Sequence, residues 1–197
     1  IVAPNIPAHL EAHFAVPMTR AVLNSINVRL DAKTIAYIFD HGESDIVLVD
    51  GQFADVVKQA VALSQTKPTI VDIDDVLGPQ NVRVGELCYE DLILEGDEEF
   101  CPAPITDEWQ SLALNYTSGT TGKPKGVVYH HRGAYLNAIG NSLAWGMTHK
   151  PVYLWTLPMF HCNGWCFPWT ITLLAGTHVC LRDVVAADII NSIEQHK

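Results

Sequence analysis

The apolar run Ile46–Val49 is the feature that most constrains how this chain can fold. Four consecutive apolar residues, three of them β-branched, are typical of a strand that is buried on both faces. A helix is predicted just before it, over residues 32–41, with Asp31 suited to cap its start and Gly42 to end it. A helix followed by a doubly buried strand predicts an α/β fold, with largely parallel sheets flanked by helices.

The same alternation continues along the chain. Strands are expected at 45–50, 69–73, 111–116, 127–129, 152–157 and 177–181, and helices at 5–16, 53–64, 86–95, 131–147, about 165–175 and from 186 onward. Pro17 is expected to end the first helix. A polar, proline-containing stretch over 96–104 predicts a first α/β lobe at residues 1–104 and a second at 105–197. Ligands are expected at the carboxyl ends of the strands.

Directly after the strand at 111–116 comes a segment rich in hydroxyls, glycines and lysines. Its candidate phosphate-binding residues are Thr117, Ser118, Gly119, Thr120, Thr121, Gly122, Lys123 and Lys125. Glycine lets the backbone approach an anion, and consecutive N–H groups form a concave anion site. Because the lysines add positive charge in an otherwise acidic chain, the segment predicts a loop that binds a polyphosphate.

This loop differs from the Walker loop of common nucleotide hydrolases. A Walker loop has the pattern G-x-x-x-x-G-K-[S/T] and opens a helix. Here Pro124 follows Lys123, and the β-branched pair Val127 and Val128 comes next, so the loop is expected to join strand to strand. The alternative is a polar hairpin tip without a ligand, which the run of hydroxyls, glycines and lysines makes the weaker interpretation.

Composition narrows the function classes. A formal charge of −10 argues against nucleic acid and against an anionic membrane surface as partners. The sequence contains no run of about 20 apolar residues, so it does not predict a transmembrane helix. Five irregularly spaced cysteines do not form a disulfide framework, so we expect a reducing, cytoplasmic environment.

A second polar group follows the strand predicted at 152–157. Residues 159–165 end in His161, Cys162, Asn163, Gly164 and Trp165. The histidine can donate a hydrogen bond to a carboxylate, and the tryptophan offers a flat apolar wall beside it. A core histidine packed on an aromatic ring is the alternative, and the residues alone do not decide between the two.

Three stretches resemble the adenylate-forming enzymes, which include acyl-CoA synthetases, luciferases and peptide-synthetase adenylation domains. YTSGTTGKPKGV is similar to the phosphate-loop signature of that family, and LPMFHCNGWC to its second core motif in fatty acyl-CoA synthetases. AVLNSINVRLDAKTIAYIFDHGESDIVLVD is similar to the amino-terminal part of those synthetases. The resemblance implies that the chain is an incomplete N-terminal domain of an acyl-CoA synthetase-like fold.

The resemblance also implies roles for individual residues. Thr117 would take part in binding the magnesium–ATP complex, together with a carboxylate outside this chain, and the loop through Lys125 would surround the β- and γ-phosphates. His161 would lie beside the acyl carboxylate and Trp165 would gate an acyl tunnel. Lys123 and His161 are therefore the candidate catalytic residues, with ATP, Mg²⁺ and coenzyme A as the implied cofactor and co-substrates.

The implied reaction activates a fatty acid, of medium or long chain, to an acyl-adenylate and passes the acyl group to coenzyme A. The later motifs of the family and its small carboxyl-terminal domain with the adenylation lysine have no match here, so the chain alone is expected to be inactive. Two other classes stay open: an acid-independent ATP hydrolase, and a non-catalytic nucleotide-binding or assembly module. A homodimer is implied by analogy with the family.

Overall fold

A computed structural model describes residues 1–117 and 122–196 of the chain. Its α-helices are α1 (Pro7–Met18), α2 (Ala32–His41), α3 (Ala54–Leu63), α4 (Tyr89–Leu94), α5 (His131–Ala144), α6 (Phe167–Leu173) and α7 (Ala186–Gln195). Its strands are β1 (Leu23–Asn24), β2 (Ile46–Asp50), β3 (Thr69–Ile73), β4 (Leu87–Cys88), β5 (Ser111–Tyr116), β6 (Gly126–His130), β7 (Val152–Leu154) and β8 (Thr177–Val179). A 3₁₀ turn at Gly51–Phe53 precedes α3, and a left-handed turn at Cys162–Trp165 precedes α6.

The strands form three small sheets, and most of the pairings are parallel. Strands β2, β3 and β4 make one parallel sheet, and β7 pairs with β8 in another. The third sheet has the order β1-β5-β6, with β1 parallel to β5 and β6 antiparallel to it. The predicted α/β class with largely parallel sheets is confirmed.

Apolar residues of α2, β2 and α3 pack together in one buried cluster. Asp31 caps α2 by accepting a hydrogen bond from the Thr34 amide at 2.8 Å. The apolar stripe of that helix faces inward. Its Ile35 and Phe39 are fully buried against Val47 of β2 and Val57 of α3. A separate apolar cluster contains Trp155, Met159, Phe167 and Ile171.

Several element boundaries differ from the predictions, and the first helix shows why. The expectation that Pro17 ends α1 is wrong, because the helix continues to Met18. Proline cannot donate to the carbonyl four residues earlier, which is that of His13. That carbonyl instead accepts a hydrogen bond from the indole of Trp169 at 3.2 Å, so the helix tolerates the proline in its last turn.

The helix predicted at 86–95 is also shorter than expected. Its first residues form β4, which pairs with β3, and the helix begins only at Tyr89. Asp72, a charged residue of β3, is fully buried. It accepts hydrogen bonds from the amides of Val84 and Gly85, both at 2.9 Å, and so anchors the loop that leads into β4.

Contacts cross the lobe boundary predicted near residue 104. β1 pairs with β5, and Arg182 donates two hydrogen bonds to Asp50 at 2.5 and 3.1 Å. The division into 1–104 and 105–197 stays a prediction. All five cysteines are free. Within residues 1–117 and 122–196, no helix combines the length and apolarity that crossing a bilayer demands.

Candidate functional site

The predicted phosphate loop connects two strands, as its sequence indicates. β5 and β6 form an antiparallel hairpin in which Tyr116 lies opposite Gly126. Beyond that pair, Thr117 donates its amide to the Lys125 carbonyl at 3.0 Å, and the Lys125 amide donates to Thr117 Oγ1 at 3.3 Å. The two residues therefore close the base of the loop.

The residues within the loop are described in part. Ser118, Gly119, Thr120 and Thr121 lie outside the described residues. Thr117, Gly122, Lys123 and Lys125 are all exposed. The ammonium and hydroxyl groups at both ends of the loop are thus accessible to an anionic ligand.

An aromatic cluster on α2 lies against one end of the loop. The Lys123 ammonium sits 5.2 Å from the centre of the Tyr37 ring, within the range of a cation–π interaction. Tyr37 packs edge-on against Tyr116, whose hydroxyl hydrogen-bonds to His41 Nδ1 at 2.8 Å. Burial raises the pKa of Tyr116, so this phenol stays neutral near pH 7. The cluster gives Lys123 a defined position beside the hairpin.

The second motif folds into an unusual left-handed turn. Residues 162–166 all have positive φ, between 50° and 64°. Gly164 is the one glycine among them, and each L-residue in this region costs about 1–2 kcal/mol. Such a conformation persists only where the surrounding structure fixes it.

The turn orients its side chains in opposite directions. Asn163 and Gly164 are buried, whereas His161 and Trp165 are exposed, with 57% of Trp165 accessible. A Cβ atom on Gly164 would lie 2.6 Å from the Trp155 ring, so the core tryptophan leaves no room for a larger residue here. The histidine and the tryptophan of the motif are therefore both presented to solvent.

Neighbouring strands and helices hold the turn from several sides. The Asn141 side chain on α5 donates to the Trp165 carbonyl at 2.9 Å. Tyr129 of β6 lies beside Cys162, and burial together with that thiol raises the pKa of Tyr129 to about 12. Both contacts come from the segment that follows the phosphate loop.

A buried asparagine joins the two motifs directly. Asn115 lies near the end of β5, two residues before Thr117, and its side-chain amide donates to the carbonyls of Phe160 and Ser25, both at 3.2 Å. Phe160 immediately precedes His161. The structure thus brings the two predicted motifs to the same end of β5, and each motif presents exposed polar groups there.

Sequence reasoning missed the asparagines that position this site. Asn5 is 6% exposed and accepts the Met159 amide at 2.8 Å, while its own amide donates to the carbonyls of Trp155 and Leu157. Asn115 could have been noticed as a polar residue within an apolar strand. For Asn5 the sequence offers no comparable signal, because its partners lie about 150 residues away.

Two other features lie away from these motifs. An apolar groove of about 470 Å³ is lined by Phe14, Leu112, Tyr135 and Trp169, among others. Its lining residues, all within the described part of the chain, include none of the predicted site residues. A groove lined mainly by apolar side chains suits an apolar group better than a nucleotide phosphate.

The second feature is a group of potential metal ligands on the sheet of β2, β3 and β4. Ligand atoms of Asp74, Cys88 and Glu90 lie within 4.8 Å of one another. Arg83 donates to Asp74 at 2.5 Å and approaches the Cys88 sulfur at 3.6 Å. Because the guanidinium already supplies positive charge there, the cluster is accounted for without a metal ion.

The sequence was compared with known families and characterised proteins. The profile of the AMP-binding enzyme family matches residues 1–197. A peroxisomal acetate/butyrate–CoA ligase of Arabidopsis thaliana is 48% identical over 209 residues, which cover 100% of this chain and 37% of that ligase. A peroxisomal trans-cinnamate:CoA ligase of Petunia hybrida is 43% identical, again over 100% of this chain and 37% of the relative.

Solved structures show the same fold. A long-chain-fatty-acid-CoA ligase from Archaeoglobus fulgidus superposes with a TM-score of 0.83 at 20% identity, covering 99% of this chain and 37% of that one. A putative long-chain-fatty-acid CoA ligase from Rhodopseudomonas palustris gives 0.81 at 23% identity, covering 98% and 47%. This chain thus spans between a third and a half of the proteins it resembles. From the family profile over its whole length, the chain belongs to the AMP-binding enzyme family.

Proposed function

We propose that this chain forms the ATP-binding and acid-binding part of an ATP-dependent acyl-CoA ligase of the AMP-forming type. The contact of Asn115 with Phe160 carries this proposal, because it joins the strand that leads into the phosphate loop to the residue before His161. A ligase of this kind must hold the phosphates of ATP next to a carboxylate. Two motifs with suitable groups, at one end of one strand, meet that requirement.

The proposed reaction has two steps. First, a carboxylate oxygen of the acid attacks the α-phosphorus of ATP, the bond to the bridging oxygen breaks, and pyrophosphate leaves. The coenzyme A sulfur, as thiolate, then attacks the acyl carbon, and AMP leaves with the electron pair of the broken C–O bond. Neither step needs a nucleophile from the protein, so the protein acts by positioning and by stabilising negative charge.

Residues at the base of the loop are suited to that task. Lys123 and Lys125 bring two exposed ammonium groups to a chain whose formal charge is −10. Thr117 offers an exposed hydroxyl oxygen, a ligand type that Mg²⁺ accepts. When bound, Mg²⁺ would neutralise charge on the phosphate oxygens. Lys123 would leave the Tyr37 ring to reach the phosphates, and the hydroxyls and amides of 118–121 would complete the site.

His161 and Trp165 are proposed to meet the acid. The exposed imidazole of His161 would donate a hydrogen bond to the carboxylate, and the exposed indole of Trp165 would cover the acyl chain. The resemblance to fatty acyl-CoA synthetases implied a medium- or long-chain acid. Because Trp155 fills the space behind Gly164 and the Arabidopsis relative is named for acetate and butyrate, we infer that short acids are the first to test.

Two further parts of the proposal concern the cell. A cytoplasmic location stays a prediction, since both plant relatives named above are described as peroxisomal. The homodimer implied by the resemblance also stays a prediction. Subcellular imaging of a tagged full-length protein, and its mass in solution, would test each in turn.

Exchange of labelled pyrophosphate into ATP by the full-length protein is the decisive experiment. Acetate, butyrate, octanoate, palmitate and cinnamate would be supplied singly, with Mg²⁺ and without coenzyme A. We expect exchange that requires one class of acid, followed by acyl-CoA formation once coenzyme A is added. ATP hydrolysis without any acid would indicate a hydrolase instead, and ATP binding without exchange would indicate a non-catalytic module; either result would overturn the proposal.

A further inference from the structure

The exposed indole of Trp165 has little core packing of its own to fix its position. The residue is 57% accessible, and it follows a buried glycine in a turn of left-handed residues. The direction of the indole therefore depends on the backbone of the turn. Whatever fixes that backbone also fixes the wall that Trp165 would present to an acid.

Asn141 is the side chain that reaches this backbone from α5. Its Nδ2 donates to the Trp165 carbonyl at 2.9 Å and lies 3.3 Å from Thr170 Oγ1. Thr170 is buried, and its hydroxyl lies 3.2 Å from the Ala138 carbonyl and 3.0 Å from that of Cys166. One amide group thus ties together α5, the left-handed turn and the first turn of α6.

The helix that carries Asn141 is continuous with the phosphate hairpin. β6 ends at His130 and α5 begins at His131, where the His130 side chain accepts the Gly133 amide at 2.9 Å and caps the helix. Lys125, at the base of the loop, lies just before β6. The phosphate hairpin and the left-handed turn are therefore joined through β6, α5 and the Asn141 side chain.

We propose that Asn141 is a positioning residue that sets the orientation of Trp165 and thereby the selectivity of the enzyme among acids of different chain length. The inference rests on the proposed function, namely that Trp165 meets the acyl chain. Asn141 would act through the Trp165 carbonyl, to which it donates, rather than through a contact with acid or nucleotide. Its replacement should change the KM for acids and their ranking, while the KM for ATP stays the same.

Two substitutions in the full-length protein test this role. Asn141→Ala removes the donor, and Asn141→Asp keeps the size but places an acceptor against the Trp165 carbonyl. Loss of one neutral hydrogen bond corresponds to a change of about 2-fold to 10-fold in an equilibrium. We expect the KM for the preferred acid to rise about 3-fold to 10-fold in Asn141→Ala, and more in Asn141→Asp. The ratio of kcat/KM between butyrate and octanoate should shift in both variants.

Ser142→Ala is the matched control, because among the described residues the partner of the Ser142 hydroxyl is the Ile139 carbonyl of the same helix. It should leave the ratio between the two acids unchanged. Trp165→Ala should alter the ratio by itself, and adding Asn141→Ala to it should produce no further change. Thermal melting would show that each variant is folded.

The possible outcomes distinguish failure of the Asn141 positioning role from failure of the proposed ligase function. If none of the acids supports pyrophosphate exchange by the unmodified protein, the proposed function fails. If exchange occurs but Asn141→Ala and Asn141→Asp keep the acid ratio of the unmodified protein, the positioning role is overturned. The same holds if Asn141→Ala shifts the ratio equally with and without Trp165, since Asn141 would then act by another route.

Discussion

The ion pair between Arg182 and Asp50 gives a stability prediction whose size follows from its geometry. Arg182 Nη2 lies 2.5 Å from Asp50 Oδ1 and Nη1 lies 3.1 Å from Oδ2, and the side chains are only 9% and 1% exposed. Asp50→Asn keeps the shape but removes the negative charge. Breaking one partner of a buried pair costs about 3–5 kcal/mol. Because Asp75 remains 3.7 Å from the guanidinium, we expect the lower end, about 3 kcal/mol.

Urea unfolding of the full-length protein, followed by tryptophan fluorescence, measures this change. Glu108→Gln makes the same chemical change in the exposed pair with Arg132, whose side chains are 55% and 43% accessible, and should cost less than about 1 kcal/mol. Adding Arg182→Met and Asp75→Asn to Asp50→Asn should restore much of the loss, because none of the three charges then stays buried. An effect of Asp50→Asn no larger than that of Glu108→Gln would refute the reasoning.

Three further predictions follow from single contacts. Gly164→Ala should lower the free energy of unfolding by about 2–4 kcal/mol in urea, because of the positive φ and the overlap with Trp155. Gly140 lies in open space on α5, so Gly140→Ala should stabilise the protein slightly. Equal effects of the two substitutions would contradict this reasoning. Lys123→Ala should raise the KM for ATP about 10-fold or more in the exchange assay, and an unchanged value would remove Lys123 from the phosphate site. Burial lowers the pKa of His13 to about 4. Burying the neutral imidazole therefore contributes stability that is fully present above pH 6.5 and is lost as the pH falls toward 4, roughly 3 kcal/mol in all. A urea midpoint that does not fall over that pH range would exclude this contribution.

The parts of the fold that rest on local patterns were predictable from the sequence. The stripe of α2 and the strand β2 follow from the apolar pattern, although Ile46 at the start of β2 is 63% exposed rather than buried. Asp31 caps its helix as its type and position indicate. The strand-to-strand path of the phosphate loop follows from Pro124 and the β-branched residues after it. In each case the residues that decide the structure lie within a few positions of one another.

Local sequence patterns do not predict contacts between residues that lie far apart in the sequence. Trp155 could equally have lined an acyl pocket, and only its position against Gly164 and His178 places it in the core. The burial of Asp72 was not predictable, because its amide partners, Val84 and Gly85, lie in a loop with no regular pattern. A polar residue becomes buried when a remote partner satisfies it, and a single sequence does not reveal that partner.

The left-handed turn at Cys162–Trp165 shows how these two kinds of information combine. Local preference argues against it, since one glycine among five residues with positive φ leaves four that would favour another conformation. Asn5 and Asn115 fix the chain just before the turn, and Asn141 fixes its last carbonyl. Strained backbone that is maintained by contacts with distant residues is more typical of functional sites than of simple connecting loops. The asparagines therefore matter to the proposed acid site as much as the residues that would touch the acid.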